Sequence, residues 1–169
     1  MIVYHFSEEG TIREFVPRPS RLGEPLVWAI DAEHAPLYLL PCECPRVTFW
    51  PLPTSTPEDL ERWWAHVAGR MVIAIEMAWL GRLRACQLYR YSFDDPSFEP
   101  IHDHGVHLSR ATVRPVAVEP VGDLLDRQAE AGVELRLCQS LVPLGRAILK
   151  ASLHYSLIRM RNAAGWEER

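Results

Sequence analysis

The chain has 169 residues, 48% of them hydrophobic and 24% charged, with a formal charge of −4. That length suits one domain able to bury about 70% of its unfolded surface, and the balance excludes a disordered or fibrous chain. The net negative charge removes the phosphate-neutralising attraction that drives non-specific nucleic-acid binding.

The basic run Arg159-Met160-Arg161-Asn162 reads as a solvated helix end, its cations favoured near the negative pole of the dipole. No apolar run approaches the ~18 residues of a membrane helix, and Met1–His5 followed by Glu8 and Glu9 does not resemble a signal peptide. Cys42, Cys44, Cys86 and Cys138 lack a dense disulfide spacing. They are expected to be reduced thiols, which predicts a cytoplasmic protein with no membrane association.

In chain order, residues 2–6 are β-branched and aromatic and predict a first strand; Leu26–Ile30 predicts a second, buried one. Asp31 at the end of that strand is placed to cap a short helix running through Tyr38 and Leu40 to Pro41. Residues 47–52 predict a strand closed by prolines. Thr56 as N-cap, Pro57 in the first turn and the acids Glu58, Asp59 and Glu61 predict a helix with a stripe of Leu60, Trp63, Trp64 and Val67. Met71–Glu76 is the next strand, followed by a short helical patch to Leu83.

Residues 87–93 alternate as a half-buried strand does, and 94–105 form a polar loop. Residues 106–108 and 113–118 predict two more strands, with Pro115 marking the second as an edge or bulge. Leu124–Ala131 predicts a helix closed by Gly132, and 134–137 a short strand. From Pro143, the residues Leu144, Ala147, Ile148, Ala151, Tyr155 and Ile158 keep a 3.6-residue stripe and predict one long final helix. Strands interrupted by helices without strict alternation indicate an α+β class in a single domain over 1–169.

Phosphate-loop, G-x-G-x-x-G, H-E-x-x-H and G-x-S-x-G signatures are all missing, as are zinc-ribbon C-x-x-C pairs. One local cluster stands out: Ile101-His102-Asp103-His104-Gly105-Val106-His107. In extended backbone His102 and His104 share a face, and His107 would close a three-imidazole metal site. The spacing matches no strong zinc pattern, and in a polar loop histidines are ordinarily solvated. Cys42-Glu43-Cys44 is too closely spaced for a zinc knuckle. A metal is therefore the alternative and not the leading expectation.

A second pattern is spread along the chain. Tyr4-His5-Phe6-Ser7 on the first strand resembles the Tyr-His-Gly-Thr opening of small ADP-ribosyltransferases, including the rifampin ADP-ribosyltransferases. Val27-Trp28-Ala29-Ile30 falls where that family carries a Tyr-x-Thr/Ser element; Trp28 takes the aromatic position and Ala29-Ile30 departs from the pattern. Leu88-Tyr89-Arg90-Tyr91, Asp94-Asp95-Pro96, Ser109-Arg110 and Arg114–Val118 then follow in the order of the rifampin enzymes. The chain also resembles an uncharacterised bacterial family that opens Tyr-His-Phe-Ser-Glu and contains a Cys-Pro-Arg-Val element, here Cys44-Pro45-Arg46-Val47.

The enzyme resemblance covers about residues 2–120 and implies a split β-sheet core, with a helical C-terminal extension over about 121–165. It further implies NAD as cofactor, bound by Tyr4, His5, Ser7, Trp28, Ser109 and Arg110, with His5 on the ribose and Trp28 stacked on nicotinamide. Cleaving the nicotinamide bond develops oxocarbenium charge, so catalysis also needs an acid near the ribose. Glu76, Asp94 and Asp95 are the candidates, Glu76 being taken with His5 and Trp28 as the catalytic set. The acceptor substrate is not identified. The alternatives are a non-catalytic nucleotide- or partner-binding domain of the same fold, or the His102/His104/His107 metal site.

Overall fold

The computed structural model describes every residue except Arg21, Asp103, Glu168 and Arg169. In chain order its elements are β1 (Val3–Ser7), β2 (Arg18–Pro19), β3 (Pro25–Ile30), a 3-10 turn (Ala35–Tyr38), β4 (Arg46–Trp50), α1 (Pro57–Trp64) and β5 (Met71–Glu76). A 3-10 turn (Met77–Trp79) then leads into α2 (Leu80–Ala85), followed by β6 (Tyr89–Phe93), β7 (Glu99–Pro100), β8 (Val106–Ser109) and β9 (Ala117–Pro120). The chain ends with α3 (Leu124–Glu130), β10 (Val133–Cys138), α4 (Val142–Ile148), β11 (His154–Ile158) and a 3-10 turn (Met160–Asn162). Helices and strands are both present without regular alternation, so the class is α+β. No helix among the described residues is long and apolar enough to cross a membrane.

The chain forms two compact units, one of Met1–Cys42 with Cys86–Gly122, the other of Glu43–Ala85 with Asp123–Arg169. The first is built on an antiparallel sheet ordered β7-β8-β3-β1-β6-β9, with β2 also paired to β3. Val3, Val27, Ala29, Tyr91, Phe93, Phe98 and Val113 form a buried cluster on one face of that sheet, with Ile12 and Phe15 packed against it. The Tyr91 hydroxyl fastens the chain over this face: it donates to the Glu9 carbonyl at 2.6 Å and accepts from Ile12 N–H at 3.1 Å. The strand expected over 113–118 begins later, at Ala117; Val113 is held by an isolated bridge to Phe15. β9 does lie at a sheet edge, as Pro115 suggested.

The second unit has a four-stranded sheet ordered β10-β5-β4-β11, in which β5 and β10 run parallel and the other pairs antiparallel. All six residues of β5 are buried, as suits an apolar run between two strands. Val47, Phe49, Val72, Ala74, Leu141, Ile148 and Leu153 form its core together with Met160 and Ala163. The α1 prediction holds: the Thr56 hydroxyl accepts from Asp59 N–H at 3.3 Å, and Trp63 and Trp64 both set their edges against Phe49.

The long final helix does not form. α4 ends at Ile148, and residues 154–158 form β11, paired along its length with β4 from His154↔Trp50 to Ile158↔Arg46. The break is fixed by Ser152: its N–H donates to Asp59 Oδ2 at 2.7 Å, and its carbonyl accepts from the Ser55 hydroxyl at 3.1 Å. Those bonds tie the turn to the start of α1, and the open edge of β4 then takes the β-prone stretch HYSLI. The 121–165 extension is therefore a mixture of helix and strand.

Phe49 is fully buried and central to the second unit's core. Phe49→Ala is expected to lower stability by about 3–5 kcal/mol, read as a shift of the urea midpoint at unchanged m-value.

Candidate functional site

His5 sits in the middle of β1, between β3 and β6. Its Nδ1 lies 2.9 Å from the Trp28 carbonyl oxygen. A carbonyl only accepts, so Nδ1 carries the proton and Nε2 keeps its lone pair in the neutral ring. Burial holds the His5 pKa below the ordinary imidazole value; the Trp28 hydrogen bond partly opposes this, and the Arg18 charge adds a smaller push downward. Phe15 sets its ring edge-on at 4.9 Å. The ring is part-buried, and Nε2 is left as its acceptor nitrogen.

Strand alternation decides which of the expected contacts share a face. His5 pairs with Tyr91 and Val3 with Phe93, placing Val3, His5 and Ser7 on the face of the buried aromatic cluster. Val27 pairs with Ser109 and Ala29 with His107, so those two β8 side chains lie on the same face. Tyr4 pairs with Ile30, and Trp28 with Leu108; they occupy the opposite face. The Arg90 guanidinium stands 5.0 Å over the Tyr4 ring there. His5 and Trp28 are thus joined through the Trp28 backbone while their side chains diverge.

The remaining expected contacts have local roles. The Ser7 hydroxyl accepts from Glu9 N–H at 3.1 Å, in the turn that leaves β1. Ser109 is fully buried, its hydroxyl 2.7 Å from that of Ser97 and accepting from Ala111 N–H. Arg110 is exposed and forms a two-pronged pair with Glu24, at 2.9 and 2.8 Å, with Glu99 at 3.5 Å. That pairing holds the Glu24 carboxyl below its usual range.

Glu76 belongs to the second unit, at the end of β5. It is buried there, and its carboxylate accepts the Ala164 N–H at 3.0 and 3.3 Å. Cys44 is fully buried in the same unit, and burial pushes its thiol up to about 12. All four cysteines are free thiols. Asp94 and Asp95 line a depression of about 220 Å³ with Met1, Val3, Pro96 and Phe98. The Met1 ammonium pairs with Asp94 at 3.3 Å, and the Ser97 hydroxyl and amide hold Asp95 below the usual carboxylate range. None of the expected nucleotide contacts lines that depression.

The histidine cluster is not assembled as a trio. His107 is buried on β8 with Nδ1 3.0 Å from the Gly105 carbonyl, whereas His102 and His104 are exposed in the preceding loop, and Asp103 lies outside the described residues. Among the described residues no group of three His, Cys, Asp or Glu side chains is arranged to hold a metal ion. His104 instead faces His34, with ring centroids 6.3 Å apart. His34 was not an expected site residue. The spacing Asp31-x-x-His34 just after a strand was the available signal, since it lets one carboxylate meet both the amide and the ring of the same histidine.

A family model described as a family of unknown function (DUF6886) matches residues 4–163. The chain belongs to this family. The match takes in β1 and the turn after β11, so all the strands but the first residue of β1 lie inside it. No significant match to a curated protein or to a solved structure is found.

Two outcomes test this geometry. In the folded protein His5 resists protonation, while the unfolded chain takes the proton near pH 6.5. The contribution of His5 is therefore intact above that pH and is lost as pH falls from about 6.5 toward the depressed folded-state value. Urea midpoints measured from about pH 7.5 down to pH 5 should fall in the wild type, and His5→Gln should flatten part of that slope. Cys44, protonated and sealed from solvent, should stay unmodified by iodoacetamide until the chain is unfolded, as mass mapping of the four cysteines would show.

Proposed function

We propose that the first unit is a nucleotide-binding domain that takes NAD or a related nucleotide at the His5 face of its sheet, acting as a binding module and not as a transferase. The observation that carries this reading is the state of His5: part-buried, neutral and oriented by the Trp28 carbonyl, with Nε2 left as its acceptor. A ribose hydroxyl is a suitable donor to such a nitrogen. Ser7, two residues on along the same face, adds a hydroxyl within the same strand. The Tyr-His-Phe-Ser opening supports the same ligand class through its resemblance to the small ADP-ribosyltransferases.

The residues fit the ribose better than they fit glycosidic cleavage. Trp28 projects from the opposite face of the sheet to His5, so it does not stack on a nicotinamide whose ribose meets His5. Glu76 is occupied by the Ala164 amide in the second unit. A transition state with oxocarbenium charge gains only from groups preorganised around it. With the aromatic face turned away from His5 and the Glu76 carboxylate engaged by a backbone amide, binding is the better reading.

Calorimetric titration of NAD into tag-free protein tests it. Saturable binding is expected, weakened at least tenfold (about 1.4 kcal/mol) in His5→Ala and changed by less than about twofold in Trp28→Phe. No heat at millimolar NAD overturns the reading. Loss of binding in Trp28→Phe with retention in His5→Ala moves the site to the other face of the sheet. Steady release of nicotinamide on incubation with NAD would make the protein a hydrolase or transferase instead.

A further inference from the structure

We propose that β10 is the interface of a symmetric homodimer, in which two copies of this chain join their four-stranded sheets by antiparallel pairing of β10 centred on Leu135. The inference is independent of the nucleotide reading and lies in the other unit. It begins with the place of the strand in its sheet. β10 ends the order β10-β5-β4-β11, and among the described residues no strand lies on its outer side. A terminal strand keeps a row of backbone N–H and C=O groups directed away from its sheet. The neighbouring β5 is buried along its whole length, whereas no residue of Val133–Cys138 is buried and Leu137 is 37% exposed.

The occupant is chosen by charge. Val133-Glu134-Leu135-Arg136-Leu137 alternates apolar and charged residues, and it is complementary to itself when reversed about Leu135. In that register Glu134 lies opposite the partner's Arg136, and Arg136 opposite the partner's Glu134; opposite charges facing each other across strands are stabilising. Val133 meets the partner's Leu137, and Leu135 meets its own copy. Centring the pairing one residue earlier sets Glu134 against itself, and one residue later sets Arg136 against itself; like charges directly opposite are destabilising. Residues paired by the Leu135 register are an even number of positions apart. The outward N–H and C=O groups of one copy therefore meet the outward groups of the other, whichever alternate set that is.

The charges already stand together within one chain. Arg136 Nε and Nη2 donate to Glu134 Oε1 at 2.9 and 2.8 Å, and the guanidinium lies 5.6 Å over the Phe49 ring. A second copy turns this pair into a ring of four alternating charges. On the other face Val133, Leu135 and Leu137 form an apolar strip, which the same pairing extends and removes further from water. Charged side chains on an edge strand ordinarily discourage pairing; here their order favours one antiparallel partner, the chain itself. The other edges lack that selectivity. β11 carries no Asp, Glu, Lys or Arg to set a register, and β9 follows Pro115 and ends in Pro120, neither of which has an N–H to donate.

Sedimentation equilibrium of the tag-free chain across the micromolar range should show a species of twice the 19.4 kDa chain mass. Glu134→Arg and Arg136→Glu should each weaken dimerisation by about tenfold or more, because each sets like charges opposite one another in both symmetric pairs. The double variant Glu134→Arg with Arg136→Glu restores opposite pairs and should recover the wild-type dissociation constant to within about threefold. Leu137→Lys, on the opposite face from Phe49, should also favour the monomer, and it keeps the test valid should a change at Arg136 impair folding. A monomer at every concentration overturns the proposal. So does a dimer unmoved by the single reversals, or a loss in both that the double variant fails to recover.

Discussion

The hydrogen bond between His5 Nδ1 and the Trp28 carbonyl depends on β1 and β3 lying side by side in one register, and much of the first unit follows from that register. Pairing Tyr4 with Ile30 sends Tyr4 and Trp28 to one face of the sheet and His5 and Ser7 to the other. A shift of β1 by one residue would exchange its faces, taking Val3 out of the aromatic cluster and putting Tyr4 in its place. The aromatic cluster under Phe15 makes that shift costly, because Tyr91 and Phe93 are both fully buried there. The neutral state of His5 has the same origin, since the packing that fixes the register also removes the ring from water.

The second unit shows how a buried polar group is kept by backbone contacts. Glu76 lies at the end of a strand buried throughout, and its charge is met by the Ala164 amide. Arg46 is equally buried and donates to the Cys44 carbonyl at 2.9 Å. Both side chains lie at the same end of the two central strands, Glu76 closing β5 and Arg46 opening β4, and both hold backbone. Burial alone therefore does not mark a catalytic acid; the direction of its oxygens and the identity of its donor decide the role.

In the Asp31 turn a short-range device and a long-range one meet. The carboxylate-to-amide and carboxylate-to-imidazole bonds are local, separated by three residues. The arrival of His104 is not local, because it requires β8 to pair with β3 and Gly105 to lie against the His34 ring. The histidines that are adjacent in sequence are separated by the same pairing, which draws His107 into the sheet and leaves His102 outside it.

The sequence by itself determined the α+β class, β1, β3, β5, α1 and α3, because each rests on local signals: β-branched runs, the Thr56 cap, the amphipathic run from Leu124, and Gly132 at φ +69 closing α3. It also held the candidate His5, since an imidazole within a β-prone run is visible as such. Tertiary structure alone decided the rest. The stripe Leu144 to Ile158 fits helical spacing by residue count, yet the open edge of β4 and the bonds at Ser152 make its second half a strand. The positions of Trp28, His34 and His104 relative to His5 likewise depend on which strands become neighbours. Local propensity carries no information about such pairings, because their energy comes from residues far apart in the chain.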